Sequence, residues 1–348
     1  MTEKLRLCVV GAGRVAESHL PAIQALAERI ELAALVARDE RRLLEKAARW
    51  HVSQTYTSYE QALQDERIDA MLLLLPHDLH ADYTIRALRA GKHVLVEKPM
   101  AMNDAEAARM TEEAERNGKV LMIGQSRRFF APVMESIRQI RAKAIGEVIN
   151  INALLLAHMD KPAVEWWKDK SRIGGFIIPL WGSHILDYIL WAYDELPETV
   201  YAQGLSNNPN WDGEDEAAIS LRFSGGRMAS LLLSFNAGCR PTDEDGLTAK
   251  RIWSTRNSIY ERYIIGTNGM IHLRDEQELF VNNVKIDTEE EHASNFAWQI
   301  KEFADAIREH REPLASGREV RRVVQVIDAV FASMNENRLI RLNKEAAF

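Results

Sequence analysis

The chain holds only two cysteines in 348 residues, Cys8 and Cys239. Two cannot build a disulfide framework, and without a CxxC pair no zinc ribbon or finger is expected. Such sparse cysteine suits a reducing compartment, so a cytoplasmic location is expected. Long hydrophobic runs are missing too. No stretch approaches the ~18 consecutive apolar residues of a membrane helix. The first apolar stretch, 5–10, runs straight into glycines instead of a signal-peptide pattern. A basic excess is absent as well: 51 acidic residues outnumber 44 basic ones, for a net charge of −7. Phosphate neutralisation needs a basic face, so nucleic acid is not an expected partner. The histidines lack HExxH or comparable spacing, and no metal is expected.

What is present is ordinary globular composition, 46 % hydrophobic and 27 % charged. At roughly 150 residues per domain the length suggests about two domains. The first third alternates short apolar runs with amphipathic stretches. Strands are predicted at 5–10, 31–36, 70–75, 94–96 and 120–123, and helices at 14–28, 41–50, 81–90 and 104–117. The run Ala-Met-Leu-Leu-Leu-Leu at 70–75 reads as a strand buried on both faces. This alternation predicts a parallel sheet with helices on both sides. After Gly124 the pattern changes to strands at 147–156, 199–205, 217–223, 228–235, 259–266, 270–273 and 279–281. A hairpin is expected across Ser224-Gly225-Gly226, and one helix at 183–191. The tail returns to two amphipathic helices, and 207–216 and 240–249 read as loops. The expected fold is α/β: a Rossmann domain, 1–123, then an α+β domain, 124–348, with a large open, mostly antiparallel sheet. Its C-terminal helices are expected to pack back toward the first domain.

Gly11-Ala12-Gly13-Arg14-Val15-Ala16 joins the first strand to the first helix. This is the G-x-G-x-x-G/A fingerprint of dinucleotide binding in the context it requires. Gly11 permits the tight turn, Gly13 lets a pyrophosphate reach the backbone, and Ala16 keeps the helix close to the sheet. The helix N-terminus favours the anion. At the end of the second strand an NAD site carries an acid for the ribose hydroxyls. Here Ala37 and Arg38 stand instead, and Arg38, Arg41 and Arg42 suit a 2′-phosphate. NADP is favoured, with NAD possible.

The segment Ala90-Gly91-Lys92-His93-Val94-Leu95-Val96-Glu97-Lys98-Pro99-Met100-Ala101 resembles the signature of the Gfo/Idh/MocA (glucose–fructose oxidoreductase, inositol dehydrogenase, rhizopine catabolism) family. Pro76-His77-Asp78-Leu79-His80 is similar to that family's turn beside the nicotinamide, and Gln125-Ser126-Arg127-Arg128-Phe129 to its interdomain segment. The stretch from Gly174-Gly175 to Gly182-Ser183-His184-Ile185-Leu186-Asp187 resembles its catalytic helix. The resemblance covers nearly the whole chain. It implies NAD(P)-dependent hydride transfer at a secondary hydroxyl or ketone of a sugar, glycoside, inositol or polyol. It also implies a homo-oligomer, dimer or tetramer, through the C-terminal sheet.

The same resemblance makes Lys98 and His184 the catalytic pair. Lys98 follows a strand C-terminus, where an amine can bond the reacting oxygen and shuttle its proton. A histidine's unperturbed pKa of ~6.5 suits His184 to proton transfer near neutrality. Pro76, His80 and Glu97 join Gly11, Gly13, Arg14, Val15, Ala37, Arg38, Arg42 and Lys98 as cofactor-site candidates. The Lys98–Pro99 bond is expected to be cis, as in relatives. Arg128, His158, Trp167, Lys168 and Trp181 are substrate-site candidates beside His184, since indole faces pack on sugar C–H faces. Arg127 and Arg128 alternatively order the interdomain crossing.

One departure stands out. The family carries an aspartate four residues before the catalytic histidine, and here that position is Leu180. Lys98 and His184 then suffice alone, or Asp160 or Asp187 substitutes. A redox-neutral lyase or glycosidase with recycled NAD(P), or a non-catalytic dinucleotide sensor, are the competing functions.

Overall fold

A computed structural model describes residues 4–237, 258–289 and 292–342. Cys239 and the 240–249 loop lie outside the described residues. From the N-terminus come β1 (Leu5–Val10), α1 (Ala16–Gln24), β2 (Ile30–Val36), α2 (Glu40–Arg49), β3 (Gln54–Tyr56) and α3 (Tyr59–Leu63). Then follow β4 (Ala70–Leu73), α4 (His80–Arg89), β5 (His93–Glu97), α5 (Asp104–Asn117) and β6 (Leu121–Gly124). Next are α6 (Ala131–Arg141), β7 (Val148–Leu156), α7 (Lys170–Ile173), α8 (Ser183–Tyr193), β8 (Thr199–Leu205), β9 (Glu216–Arg222) and β10 (Met228–Ser234). The chain finishes with β11 (Ile259–Gly266), β12 (Gly269–Arg274), β13 (Glu278–Val281), β14 (Val284–Ile286), α9 (Asn295–Arg308), α10 (Gly317–Glu336) and β15 (Ile340–Arg341).

Two compact units result. The first takes residues up to 129 and the stretch ending at 321; the second takes the rest. In the first, six parallel strands run in the order β3-β2-β1-β4-β5-β6. This is the doubly wound dinucleotide order, whose direction of progress reverses between β1 and β4. The physical cause is visible in burial: Ala70, Met71, Leu72 and Leu73 are all fully buried, so both faces of β4 are covered. Ligand-binding loops belong at the carboxyl ends of β1 and β4, beside that reversal. The glycine turn and Pro76 sit on those ends. α9 packs against α1, and the Ile123 amide donates to Ala315 O, so this late stretch belongs to the first unit.

The second unit holds a nine-stranded sheet, β14-β13-β12-β11-β7-β10-β9-β8-β15. The β7–β10 pair is parallel and the other pairs are antiparallel. The β9–β10 hairpin turns through 224–226, as its glycines predict; Gly225 and Gly226 have φ of 67° and 79°. β9 alternates buried and exposed positions along its length, the signature of a sheet with one covered face. α8 lies on the covered face, so close at Gly182 that a Cβ there would come within 3.1 Å of Leu233.

Several elements differ from the sequence expectation. α1 ends at Gln24 rather than near residue 28, because 25–29 close into tight i→i+3 turns. β3 and α3 are too short to show a period. α6 was not expected, although Val133, Ile137 and Ile140 are buried at helical spacings of 4 and 3. The helical run Lys170–Tyr193 is long and apolar enough on average to cross a membrane by composition, although it is not a continuous apolar stretch. Its most apolar 18-residue window is 94 % buried within the protein, which is the character of a core helix.

Candidate active site

The glycine turn leaves β1 with Gly11 at φ 109°. A Cβ there would sit 2.3 Å from Leu74 O, so the turn can pass β4 only as glycine. Gly13 is different: nothing lies within 4 Å of the position its Cβ would take. One glycine is required by the fold, and the other leaves the backbone open to a ligand at the start of α1. The residues present therefore fit a dinucleotide pyrophosphate. Beyond β2, Asp39 caps α2 by accepting from the Arg42 amide, and its carboxylate also holds Arg42 Nε at 3.4 Å. Arg41 pairs with Glu45. Arg38 is exposed and has no ion-pair or hydrogen-bond partner among the described residues.

Lys98 follows the last residue of β5 and is half-buried; the Lys98–Pro99 bond is cis, as expected. Burial, with help from the cations Arg127 and Arg14, brings its ammonium down to about 8 against the opposing pull of Glu97. Glu97 accepts from the Lys98 amide at 3.2 Å and from His19 Nε2 at 2.7 Å. Burial would raise the Glu97 carboxyl, yet the His19 hydrogen bond and the charge and amide of Lys98 hold it below the usual range. It is ionised at neutral pH, so His19 must be the donor. His19 is fully buried, its ring edge-on to Phe296 at 4.7 Å, and its Nδ1 has no hydrogen-bond partner among the described residues. Sequence reasoning missed His19. The available signal was a histidine one turn beyond Ala16, on the helix that begins at the glycine turn.

His80 is fully buried. Its Nδ1 lies 2.8 Å from Pro99 O and its Nε2 2.9 Å from Leu75 O. Burial lowers its pKa against the pull of those two carbonyls. The ring thereby ties the end of β4 to the turn that carries Lys98. Arg128 is 3 % exposed and bonds Leu314 O and the Glu319 carboxylate, which orders the segment after β6.

In the second unit, His184 lies in the first turn of α8 and is 8 % exposed. A wide π turn, Ile178–Gly182, precedes it, and such turns recur at functional sites. It carries Trp181, whose ring meets His184 edge-on at 6.1 Å and Tyr260 at 5.6 Å. Buried Glu214 anchors the start of this run by accepting the Phe176 and Ile178 amides at 2.9 and 3.1 Å. Its pKa is raised by burial despite those bonds. Gly175, at φ 139°, is where a Cβ would meet Phe331 at 2.5 Å and the Glu214 carboxylate at 3.0 Å. Leu180 is buried, and Asp187 is 2 % exposed one turn beyond His184. Asp160 is bonded to His158 Nε2 at 3.0 Å, and Lys168 to Glu165 at 2.8 Å. Trp167 is 8 % exposed, edge-on to Trp166 and Phe176.

Two family models match this chain. An oxidoreductase family model with an NAD-binding Rossmann fold covers residues 5–125, and the same family's C-terminal alpha/beta domain covers 137–342. The chain belongs to the Gfo/Idh/MocA oxidoreductase family. A trans-1,2-dihydrobenzene-1,2-diol dehydrogenase of Xenopus tropicalis is 30 % identical over 66 % of this chain and 68 % of its own length. A 4-carboxy-2-hydroxymuconate-6-semialdehyde dehydrogenase of Sphingobium sp. is 25 % identical over 90 % of this chain and 93 % of its own. Among solved structures, an aldose-aldose oxidoreductase from Caulobacter crescentus superposes with a TM-score of 0.85, at 23 % identity over 98 % of this chain and 100 % of its own. A levoglucosan dehydrogenase in complex with NADH gives 0.87, at 20 % identity over 98 % and 100 %. The Gfo/Idh/MocA chain is thus an oxidoreductase with an NAD(P)-binding Rossmann fold.

Proposed function

We propose that this oxidoreductase moves a hydride between a nicotinamide and a secondary hydroxyl, or the matching ketone, of a ring-shaped carbohydrate or polyol. In this reading residues 1–123 hold the dinucleotide and 124–348 the substrate. The observation that carries it is Lys98: an amine beside the doubly bonded Glu97 carboxylate, at the carboxyl edge of a Rossmann sheet, with its pKa brought down to about 8. Such a group can accept a hydroxyl proton near neutrality and return it. The nicotinamide supplies the two-electron hydride acceptor. Lys98 bonds the reacting oxygen and takes its proton; in the reverse direction it donates. Glu97, fixed by His19, orients that amine. His184 is the second proton carrier, and Trp181 and Trp167 are apolar walls for the C–H faces of the ring. The relatives' names, a ring diol and an aldose among them, support the substrate class.

The cofactor reading is NADP over NAD. Its support is the small Ala37 where an acid would hold the ribose, together with Arg38, exposed and unpaired among the described residues; Arg42 is already engaged by Asp39. We also infer a homo-oligomer through the open face of the nine-stranded sheet. Exposed Met228 and Leu232 on β10, Leu205 on β8 and Ile259 on β11 support it. A cytoplasmic location rests on cysteine usage alone. The direct test is a cofactor-reduction screen over D-glucose, levoglucosan, myo-inositol and a trans-dihydrodiol with both dinucleotides. Net reduction of the nicotinamide supports hydride transfer as the overall reaction. Product formation without net reduction would favour the redox-neutral lyase, for which the missing aspartate at Leu180 is the reason to look.

A further inference from the structure

Beneath the face of α8 that carries His184 lies a cation with no part in the chemistry above. Arg262, on β11, is 2 % exposed and heads the fully buried side chains by volume. Its Nη2 donates to Tyr260 Oη and, at 2.5 Å, to Glu276 Oε1, and Glu276 is also 2 % exposed. The guanidinium carbon lies 4.4 Å from the centre of the Tyr260 ring and 4.7 Å from that of Tyr188. Nε and Nη1 have no hydrogen-bond partner among the described residues. Tyr188 stands four residues after His184, one turn along the same face of α8, and Trp181 sits on the π turn before them. Tyr260 in turn meets Trp181 edge-on at 5.6 Å.

A buried ion pair whose Nε and Nη1 find no acceptor among the described residues is a poor way to stabilise a core. Apolar side chains of similar volume in place of both partners avoid the desolvation cost and are often neutral or stabilising, whereas loss of one partner leaves the other charge buried and unpaired. What the pair provides is direction. The guanidinium is a rigid fork, fixed at one end by Glu276, and it holds Tyr260 by both its hydroxyl and its face. The Tyr260 ring then fixes the Trp181 indole, and Trp181 lies against His184.

We propose that Arg262, clamped by Glu276, is a positioning residue: it sets Tyr260 and, through it, the Trp181–His184 pair in the orientation that turnover needs. This rests on His184 being catalytic, and the test separates the two ideas. The variants are Arg262→Leu, Tyr260→Phe and His184→Ala. One readout needs no substrate: the ring resonance of His184 in protein carrying 13C at histidine Cε1, assigned with His184→Ala. The others are the thermal midpoint, and kcat and KM on the sugar with the highest rate in the screen above.

Arg262→Leu is expected to melt below wild type, because it strands the buried Glu276 carboxylate, to shift or broaden the His184 resonance, and to lose kcat by ~10–100-fold, as a misplaced reacting group does. KM for the dinucleotide is expected to stay within about twofold, since positioning acts on the chemical step and not on that binding. Tyr260→Phe keeps the ring but not the hydroxyl, and should show smaller changes of the same kind; it decides the matter if Arg262→Leu does not fold. A wild-type resonance and wild-type kcat in a folded variant would overturn the proposal and leave Arg262 as filler. Full turnover in His184→Ala would instead remove the catalytic reading, and the proposal with it.

Discussion

At the scale of single residues, Lys98 makes the most exposed claim. Its folded pKa of about 8 lies below the ordinary lysine value of 10.5. The unfolded chain therefore binds more protons between those values, and stability rises with pH across that window. Lys98→Met removes a charge that the fold holds at a cost. It should raise the thermal midpoint at pH 7, an advantage that fades toward pH 10.5, while turnover falls by ~1000-fold or more and dinucleotide binding survives. Calorimetry and a binding titration would check each part. Oxidation should need the neutral amine, so its kcat/KM should rise with pH to a plateau above about 8; reduction should need the ammonium and fall there. The lysine was legible because its neighbours in sequence carry a recognisable motif. His19 was not, since its meaning comes from Glu97, 78 positions away, and from Phe296.

Elements add what single residues lack. The run through the π turn into α8 starts on the Glu214 carboxylate, which closes two amides that no helix bond satisfies. Glu214→Ala should cost ~1–3 kcal/mol, the usual penalty for buried donors left open. Glu214→Gln should cost less than half of that by denaturant titration. It keeps a carbonyl acceptor, and burial already presses the native carboxyl toward its neutral form. Equal losses in the two variants would mean that charge, not bonding, anchors the run. Strands with clear alternation or continuous apolar runs could be read from sequence almost to their ends, as β8 and β11 were. The parallel β7–β10 pairing could not, because register between strands over 70 residues apart leaves no local pattern. Nor could β15, two residues that pair with β8 across most of the unit.

For the whole molecule, the alternating first third predicts a doubly wound sheet and the later hairpins a mostly antiparallel one; both are present. The helix α9 joins the first unit although it follows the second unit's strands, which sequence order alone does not convey. Cofactor choice is a property at this scale, since a ligand that binds only the folded state raises the melting temperature by mass action. NADPH should raise it more than NADH at equal concentration, and Arg38→Ala should remove that difference while sparing the NADH effect. An unchanged preference in Arg38→Ala would place the discrimination elsewhere. The central claim is hydride transfer through Lys98, and one measurement bears on it most directly. Nicotinamide reduction is followed alongside ketone formation from the best sugar in the screen, for wild type and Lys98→Met. The account predicts equal amounts of reduced cofactor and ketone from the wild type and neither from the variant. Ketone and reduced cofactor from Lys98→Met at the wild-type rate would contradict it.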